Sequence, residues 1–150
     1  MTRSELAKKN FESGCNCAQA VLLAFSDLTE LDEATAMKLS ASFGGGMGKL
    51  REVCGAVSGA LMAAGMIYAD GGVPTQENKA AHYEKVRTIA NRFKEENGSY
   101  LCRELLEGVP VSKDGAPEER TEQYYKKRPC GELCAIAARI LEDLLEQEAP

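Results

Sequence analysis

Tryptophan is absent from this chain, histidine occurs once, and all aromatics together make up 6% of its 150 residues. A core without large rings has to be built from aliphatic side chains and alanine, and this length still allows one buried core. The lone histidine, His82, leaves a Ser–His or Cys–His hydrolase without an oriented base. Beside Tyr83 on a charged segment it reads as a solvated edge position. Basic excess is lacking too: 18 Lys and Arg against 23 Asp and Glu give 18 − 23 = −5. Nucleic acid and anionic membrane surfaces are gripped by clustered cations, so neither is an expected partner. No apolar leader follows Met1. The longest uncharged run, Val53 to Ala69, is shorter than the roughly 20 residues of a membrane span and is interrupted by Gly55, Gly59 and Gly65. A cytoplasmic location is the expectation. Two-residue alternation and hairpin dipeptides are also missing, which argues against strands.

What is present is helical spacing punctuated by caps. Thr2 with Glu5 makes a capping box for a helix reaching Phe11, with Gly14 as its stop. Asn16 can cap a second helix, Cys17 to Ser26, where Ala18, Val21, Leu22 and Phe25 recur on one face. Leu28 to Phe43 reads as a third helix, acidic at its start (Glu30, Asp32, Glu33) and with Ala36, Leu39, Ser40 and Phe43 as its apolar stripe. The run Gly44-Gly45-Gly46-Met47-Gly48-Lys49 ends it. A phosphate-binding loop is not the reading, because Leu50 follows Lys49 and the preceding segment is helical. Cys54 to Tyr68 comes next, with Gly55 and Gly59 four apart and Ala56, Ala60 and Ala64 beside them. Such a row lets another helix come close, as a core contact or a dimer seam.

Pro74 and Thr75 start a long helix to about Asn97, with Tyr83, Val86, Ala90 and Phe93 inward and Gly98 closing it. Ser99 can cap a short helix, Tyr100 to Leu106. Gly108 to Glu122 is a loop, either a lid or a surface excursion. Pro129 opens the last helix, whose Leu133, Ala137, Ile140, Leu141 and Leu144 form its inward stripe, continuous with Cys130 and Cys134. The expected fold is all-α: one domain over 1–150, a bundle of about five to six helices.

Six cysteines without a secretion signal point to metal ligands or reactive thiols more than to structural disulfides. Cys17, Cys54, Cys102 and Cys130 each follow a break and stand in or just before a first helical turn. Unpaired N–H groups and the dipole there favour thiolate over thiol. For Cys130, the cations Lys126, Lys127 and Arg128 push the same way. Cys15 and Cys134 read as small buried hydrophobes. The four thiols are scattered, unlike the paired ligands of a zinc ribbon or the tight run of a bacterial ferredoxin, and no C-x-x-C-H haem motif occurs. A site would have to be assembled by the fold, one ligand per helix start. The C-x-C of Cys15 and Cys17 and the C-x-x-x-C of Cys130 and Cys134 are unspecific as redox pairs.

The run Cys54-Gly55-Ala56-Val57-Ser58-Gly59, with GCNCAQAVL before it and GSYLCREL and RPCGEL after it, resembles the small redox-active proteins of the C_GCAxxG_C_C family over almost the whole chain. The resemblance implies an all-helical domain and a shared cysteine set that maps to Cys17, Cys54, Cys102 and Cys130, with a redox or metal role. It also implies a distant likeness to the helical, iron–sulfur-carrying part of split-Soret cytochromes. The haem motif is missing, so only the cluster carries over. Cys15 and Cys134 lie outside the shared four and leave open whether Cys130 or Cys134 is the fourth thiol.

The leading expectation is a redox-active protein that gathers Cys17, Cys54, Cys102 and Cys130 around an iron–sulfur cluster or another thiophilic metal and exchanges electrons with a partner protein. One alternative is a metal-free thiol–disulfide protein. Another is a helical interaction module or homodimer joined at Gly55 and Gly59, its cysteines structural.

Overall fold

Caps written into the sequence fix where most helices begin. The computed structural model describes residues 1–112 and 114–148; Lys113, within the expected loop, and Ala149 and Pro150, at the end of the expected single domain, lie outside the described residues. Helix α1 is Arg3–Glu12, entered through the Thr2/Glu5 capping box, and α2 is Cys17–Leu23, entered through a second box made by Asn16 and Gln19. Helix α3 is the short Ser26–Thr29 and α4 is Glu33–Ser40, which runs on into a 3₁₀ turn over Ala41–Phe43. The later helices are α5, Gly55–Tyr68; α6, Gln76–Asn97; α7, Cys102–Leu105; α8, Glu122–Lys127; and α9, Cys130–Glu148. No strand is found among the described residues, and the fold is an all-helical bundle.

The single long helix expected over Leu28 to Phe43 is not formed. Glu30 takes a left-handed φ of 61° as the cap of α3, and the Asp32 side chain starts α4 afresh by accepting from the Thr35 N–H at 3.2 Å. Leu39, expected inward, is exposed, while Ala36 and Ser40 are buried. On α6 the buried face is centred on Ile89 and Phe93, and Tyr83 points outward. Helix α8 was not expected at all; Thr121 caps it by accepting from the Tyr124 N–H.

The segment 44–51 is more than a helix stop. Gly45, Gly46, Met47, Gly48 and Lys49 all take positive φ, as does Arg51, so the chain makes a left-handed turn. Glycine tolerates this freely, whereas Met47, Lys49 and Arg51 each hold a conformation that L-residues avoid. The turn is closed by the Arg51 N–H to Gly45 O (3.1 Å) and the Glu52 N–H to Gly46 O (3.1 Å).

Two packing relationships build the core. Helices α1, α2 and α5 stack with α9, and α6 covers α5 and α9. Between α2 and α5 the backbones nearly touch. A Cβ on Gly59 would lie 2.5 Å from Ala18 O, and one on Gly55 would lie 2.7 Å from Phe43 O and 3.1 Å from Cys17 Cβ. The small-residue seam is therefore filled by α2 of the same chain. Phe11, Leu22, Phe25, Phe93, Ile140 and Leu141 are fully buried around it. No helix among the described residues is long and apolar enough to cross a membrane.

Candidate functional site

Each of the four singled-out cysteines stands at a helix start. Cys17, Cys102 and Cys130 are the first residues of α2, α7 and α9, and Cys54 is the residue just before α5. Backbone pairing brings two of these starts together. Val53 and Leu101 form an isolated antiparallel bridge, with the Cys54 N–H donating to Tyr100 O (2.8 Å) and the Cys102 N–H to Glu52 O (2.6 Å). Gly55 admits Cys17 from α2 beside Cys54, and Gly46 admits Cys102, since a Cβ there would lie 2.9 Å from Cys102 Cβ. Cys17 opens α2 and Cys130 opens α9, and both line the same cavity.

The result is one cavity of about 290 Å³ lined by Cys17, Cys54, Cys102 and Cys130 together. All four are buried and reduced. Cys134 is fully buried but is not part of the cavity wall; its thiol points at Cys17 O, 3.8 Å away. Cys15 is half-buried and also outside the wall. Of the two thiols on α9, Cys130 is thus the one that faces the cavity. Among the described residues, no three Cys, His, Asp or Glu side chains stand close enough to form one metal ion's shell. The thiols frame a space; they do not meet at a point.

Neighbouring thiols and burial reverse the expected acidity of Cys17, Cys54 and Cys130. Burial first, and the neighbouring thiols Cys130 and Cys102 after it, push Cys54 up to about 12, outweighing bonds from the helix-start N–H groups. For Cys17 a hydrogen bond to Cys130 pulls downward, but the bond to Cys134, burial and the adjacent thiols carry it well above its ordinary value. The bond to Cys17 and burial raise Cys130 despite the downward pull of Arg128. The helix-start argument held at Cys54 and lost there to burial, while at Cys17 and Cys130 a neighbouring thiol outranks burial in raising the value.

Part of the remaining wall is cationic. Lys49, Arg51, Arg120 and Arg128 line it against one carboxylate, Glu118. Arg51 donates from Nη1 to Cys102 Sγ at 3.4 Å. Glu118 Oε1 receives Arg128 Nη2 at 3.0 Å, Lys49 Nζ at 3.3 Å and Arg51 Nη2 at 3.7 Å. It also accepts from the Ser112 N–H at 2.9 Å. Burial raises the Glu118 pKa, but the Ser112 bond, Arg128 and Lys49 outweigh it and hold the carboxyl at about 2.

Glu118 lies in the segment read as a loop, which here straps the cavity: Gly115, Pro117, Glu118 and Arg120 all contribute to the wall. Arg120 fastens the strap's end. It donates to Phe11 O (3.1 Å) and Cys15 O (3.0 Å), with its guanidinium 4.4 Å from the Phe11 ring centre and 4.9 Å from that of Tyr124. Arg51, Glu118 and Arg120 were not singled out from the sequence, and Lys49 was weighed there only for a phosphate-binding loop. Their only sequence signal is that charged residues occur in a glycine turn and in a proline-bearing loop. His82 sits on α6 and is not among the residues lining this wall.

A family model described as "Putative redox-active protein (C_GCAxxG_C_C)" matches residues 15–144. No curated protein and no solved structure matches the chain.

Proposed function

The chain belongs to the C_GCAxxG_C_C family, and from that premise we propose that it is redox-active and that Cys17, Cys54, Cys102 and Cys130 hold an iron–sulfur cluster in the cavity they line, for electron transfer or sensing. The observation that carries this reading is four thiols from four separate helix starts facing one 290 Å³ cavity.

Thiol donors suit iron–sulfur clusters and other thiophilic metals. A lone zinc ion with bonds of about 2.3 Å needs its sulfurs to converge on one point. Thiols arranged around a void suit a polynuclear group better. A bound cluster would supply one-electron chemistry. The protein's part is to exclude water with Leu105, Leu106 and Leu133, to balance negative charge with Arg51 and Arg128, and to donate a hydrogen bond from Arg51 to the Cys102 sulfur. The protons on Cys17, Cys54 and Cys130 have to leave before those sulfurs can ligate, so loading releases protons. A partner protein would deliver or accept the electron.

A metal-free disulfide-exchange protein fits less well. Its attacking thiol needs a pKa near ambient pH and an open approach, whereas Cys17, Cys54 and Cys130 are buried with raised values.

Anaerobic reconstitution with iron and sulfide, followed by electron paramagnetic resonance of the reduced protein, tests the ligand set. Replacing Cys17, Cys54, Cys102 or Cys130 singly by Ser should abolish or change the cluster signal, while Cys15→Ser and Cys134→Ser should keep it. A signal indifferent to all six replacements contradicts the proposal.

A further inference from the structure

Three cations from two separate segments converge on a single oxygen, more positive charge than one carboxylate offsets. Lys49, Arg51 and Arg128 have side chains only 12%, 17% and 5% exposed, and all three lie within 3.0 to 3.7 Å of Glu118 Oε1. Like charges held this close, with so little water, repel strongly, and one carboxylate offsets one of three. Lys49 is further satisfied by Ser112 Oγ and Ala116 O on the strap. Arg51 is not. Its Nη2 is shielded from solvent with no hydrogen-bond partner among the described residues, and its 3.7 Å approach to Glu118 is too long to be a hydrogen bond. A buried guanidinium N–H left unpaired is costly, and nothing about the fold requires it.

Lys49, Arg51, Glu118 and Arg128 stand on the wall of the same cavity as the thiols, whose whole volume is about 290 Å³. Glu118 is carried by a segment outside any helix, between α7 and α8.

We propose that Lys49, Arg51 and Arg128 form a binding site for a small oxyanion, a carboxylate or phosphate-type group, and that Glu118 occupies it as an internal stand-in. An incoming oxyanion takes the place of the Glu118 carboxylate, and its extra oxygens reach the Arg51 Nη2 that Glu118 leaves unpaired; planar guanidinium groups favour such multidentate contacts. Displacing Glu118 also releases the strap over the cavity. The site goes beyond the cluster reading and does not depend on it.

Calorimetric titration of the anaerobically purified protein with inorganic phosphate, and separately with acetate, at an ionic strength fixed by sodium chloride, tests the site. Saturable binding of one anion per chain is expected, and the two arms tell a phosphate-type ligand from a carboxylate. Glu118→Gln removes the competitor and should tighten binding about tenfold or more, as expected when a closed state masks most of the sites. Arg51→Met should weaken it at least tenfold. Heats equal to those of added chloride in both the wild type and Glu118→Gln overturn the site. Unchanged affinity in folded Glu118→Gln overturns the stand-in role. If Glu118→Gln loses its helical circular-dichroism signal, the Arg51→Met comparison decides alone, and equal affinity there overturns the proposal. Iron and sulfide counted in each sample score the cluster reading separately.

Discussion

Arg51 Nη1 lies 3.4 Å from Cys102 Sγ, so a residue at the end of the left-handed glycine turn donates to one of the four cavity thiols. Arg51 itself has a φ of 63°, a strained value for a non-glycine residue. Strain at the position that aims a cation at a sulfur ligates turn and site together. Hydrogen bonds and positive charge near ligand sulfurs raise the reduction potential of an iron–sulfur centre. In cluster-loaded protein, Arg51→Met should therefore shift the potential downward with iron content retained. A redox titration followed by electron paramagnetic resonance measures this, and an unshifted potential would separate Arg51 from the cluster.

Gly55 and Gly59 should tolerate no side chain. Backbone oxygens stand 2.7 and 2.5 Å from where their Cβ atoms would be. Overpacking of this kind typically costs about 1–3 kcal/mol, and each kcal/mol lowers Tm by about 2–4 °C at this size. Gly59→Ala should show that loss alone. Gly55→Ala, which also pushes on Cys17, should in addition retain less metal after a desalting column. Thermal melts and metal analysis of the two variants check the split.

Met47 is exposed and holds a φ of 70°. Little packing is lost on its removal, while left-handed strain of about 1–2 kcal/mol is relieved. The added flexibility of glycine in the unfolded chain takes back about 0.5–1 kcal/mol. Met47→Gly should thus gain up to about 1.5 kcal/mol in a urea titration with unchanged m. Destabilisation would mean the turn is not strained at this residue.

The thiol shifts have a sign that can be followed in metal-free protein. Cys54 is raised from its ordinary 9.0 to about 12, and Cys17 and Cys130 are raised as well. Groups with raised folded pKa values contribute stability that is fully present below their unfolded pKa and is lost as pH climbs above it. Stability should accordingly decline above about pH 9, and none of these three thiols should show fast iodoacetamide labelling at pH 7. Peptide mapping of the labelled sites reads each cysteine separately. Rapid modification of Cys17, Cys54 or Cys130 near neutrality would favour the metal-free thiol–disulfide chemistry instead.

What could be read from the sequence was local. Thr2, Asn16, Thr75 and Gly98 end or begin helices through bonds to neighbours a few residues away, and the structure uses all four. The helix-start positions of Cys17, Cys54, Cys102 and Cys130 follow from the same short-range signals. Their convergence does not, because it depends on the Val53–Leu101 bridge and on Gly55 admitting α2. Thiol acidity was misread for a related reason: the helix dipole is local, whereas burial is set by the whole fold.

Charge placement was the least legible. Nothing in GVPVSKDGAPEERTE shows that Glu118 will meet Lys49, Arg51 and Arg128, since that meeting joins segments 67, 69 and 10 positions apart by their residue numbers, 118 − 51 = 67, 118 − 49 = 69 and 128 − 118 = 10. Helix α8 was hidden by the same proline-rich neighbourhood. It packs Tyr124 and Tyr125 onto Phe11 with ring centres 6.3 and 5.9 Å away, a tertiary gain that a local reading cannot supply.

The most direct test of the central claim is the iron and acid-labile sulfide content of protein purified without oxygen. The account predicts iron and sulfide together, in comparable amounts per chain. Metal-free protein, or zinc without sulfide, would contradict it.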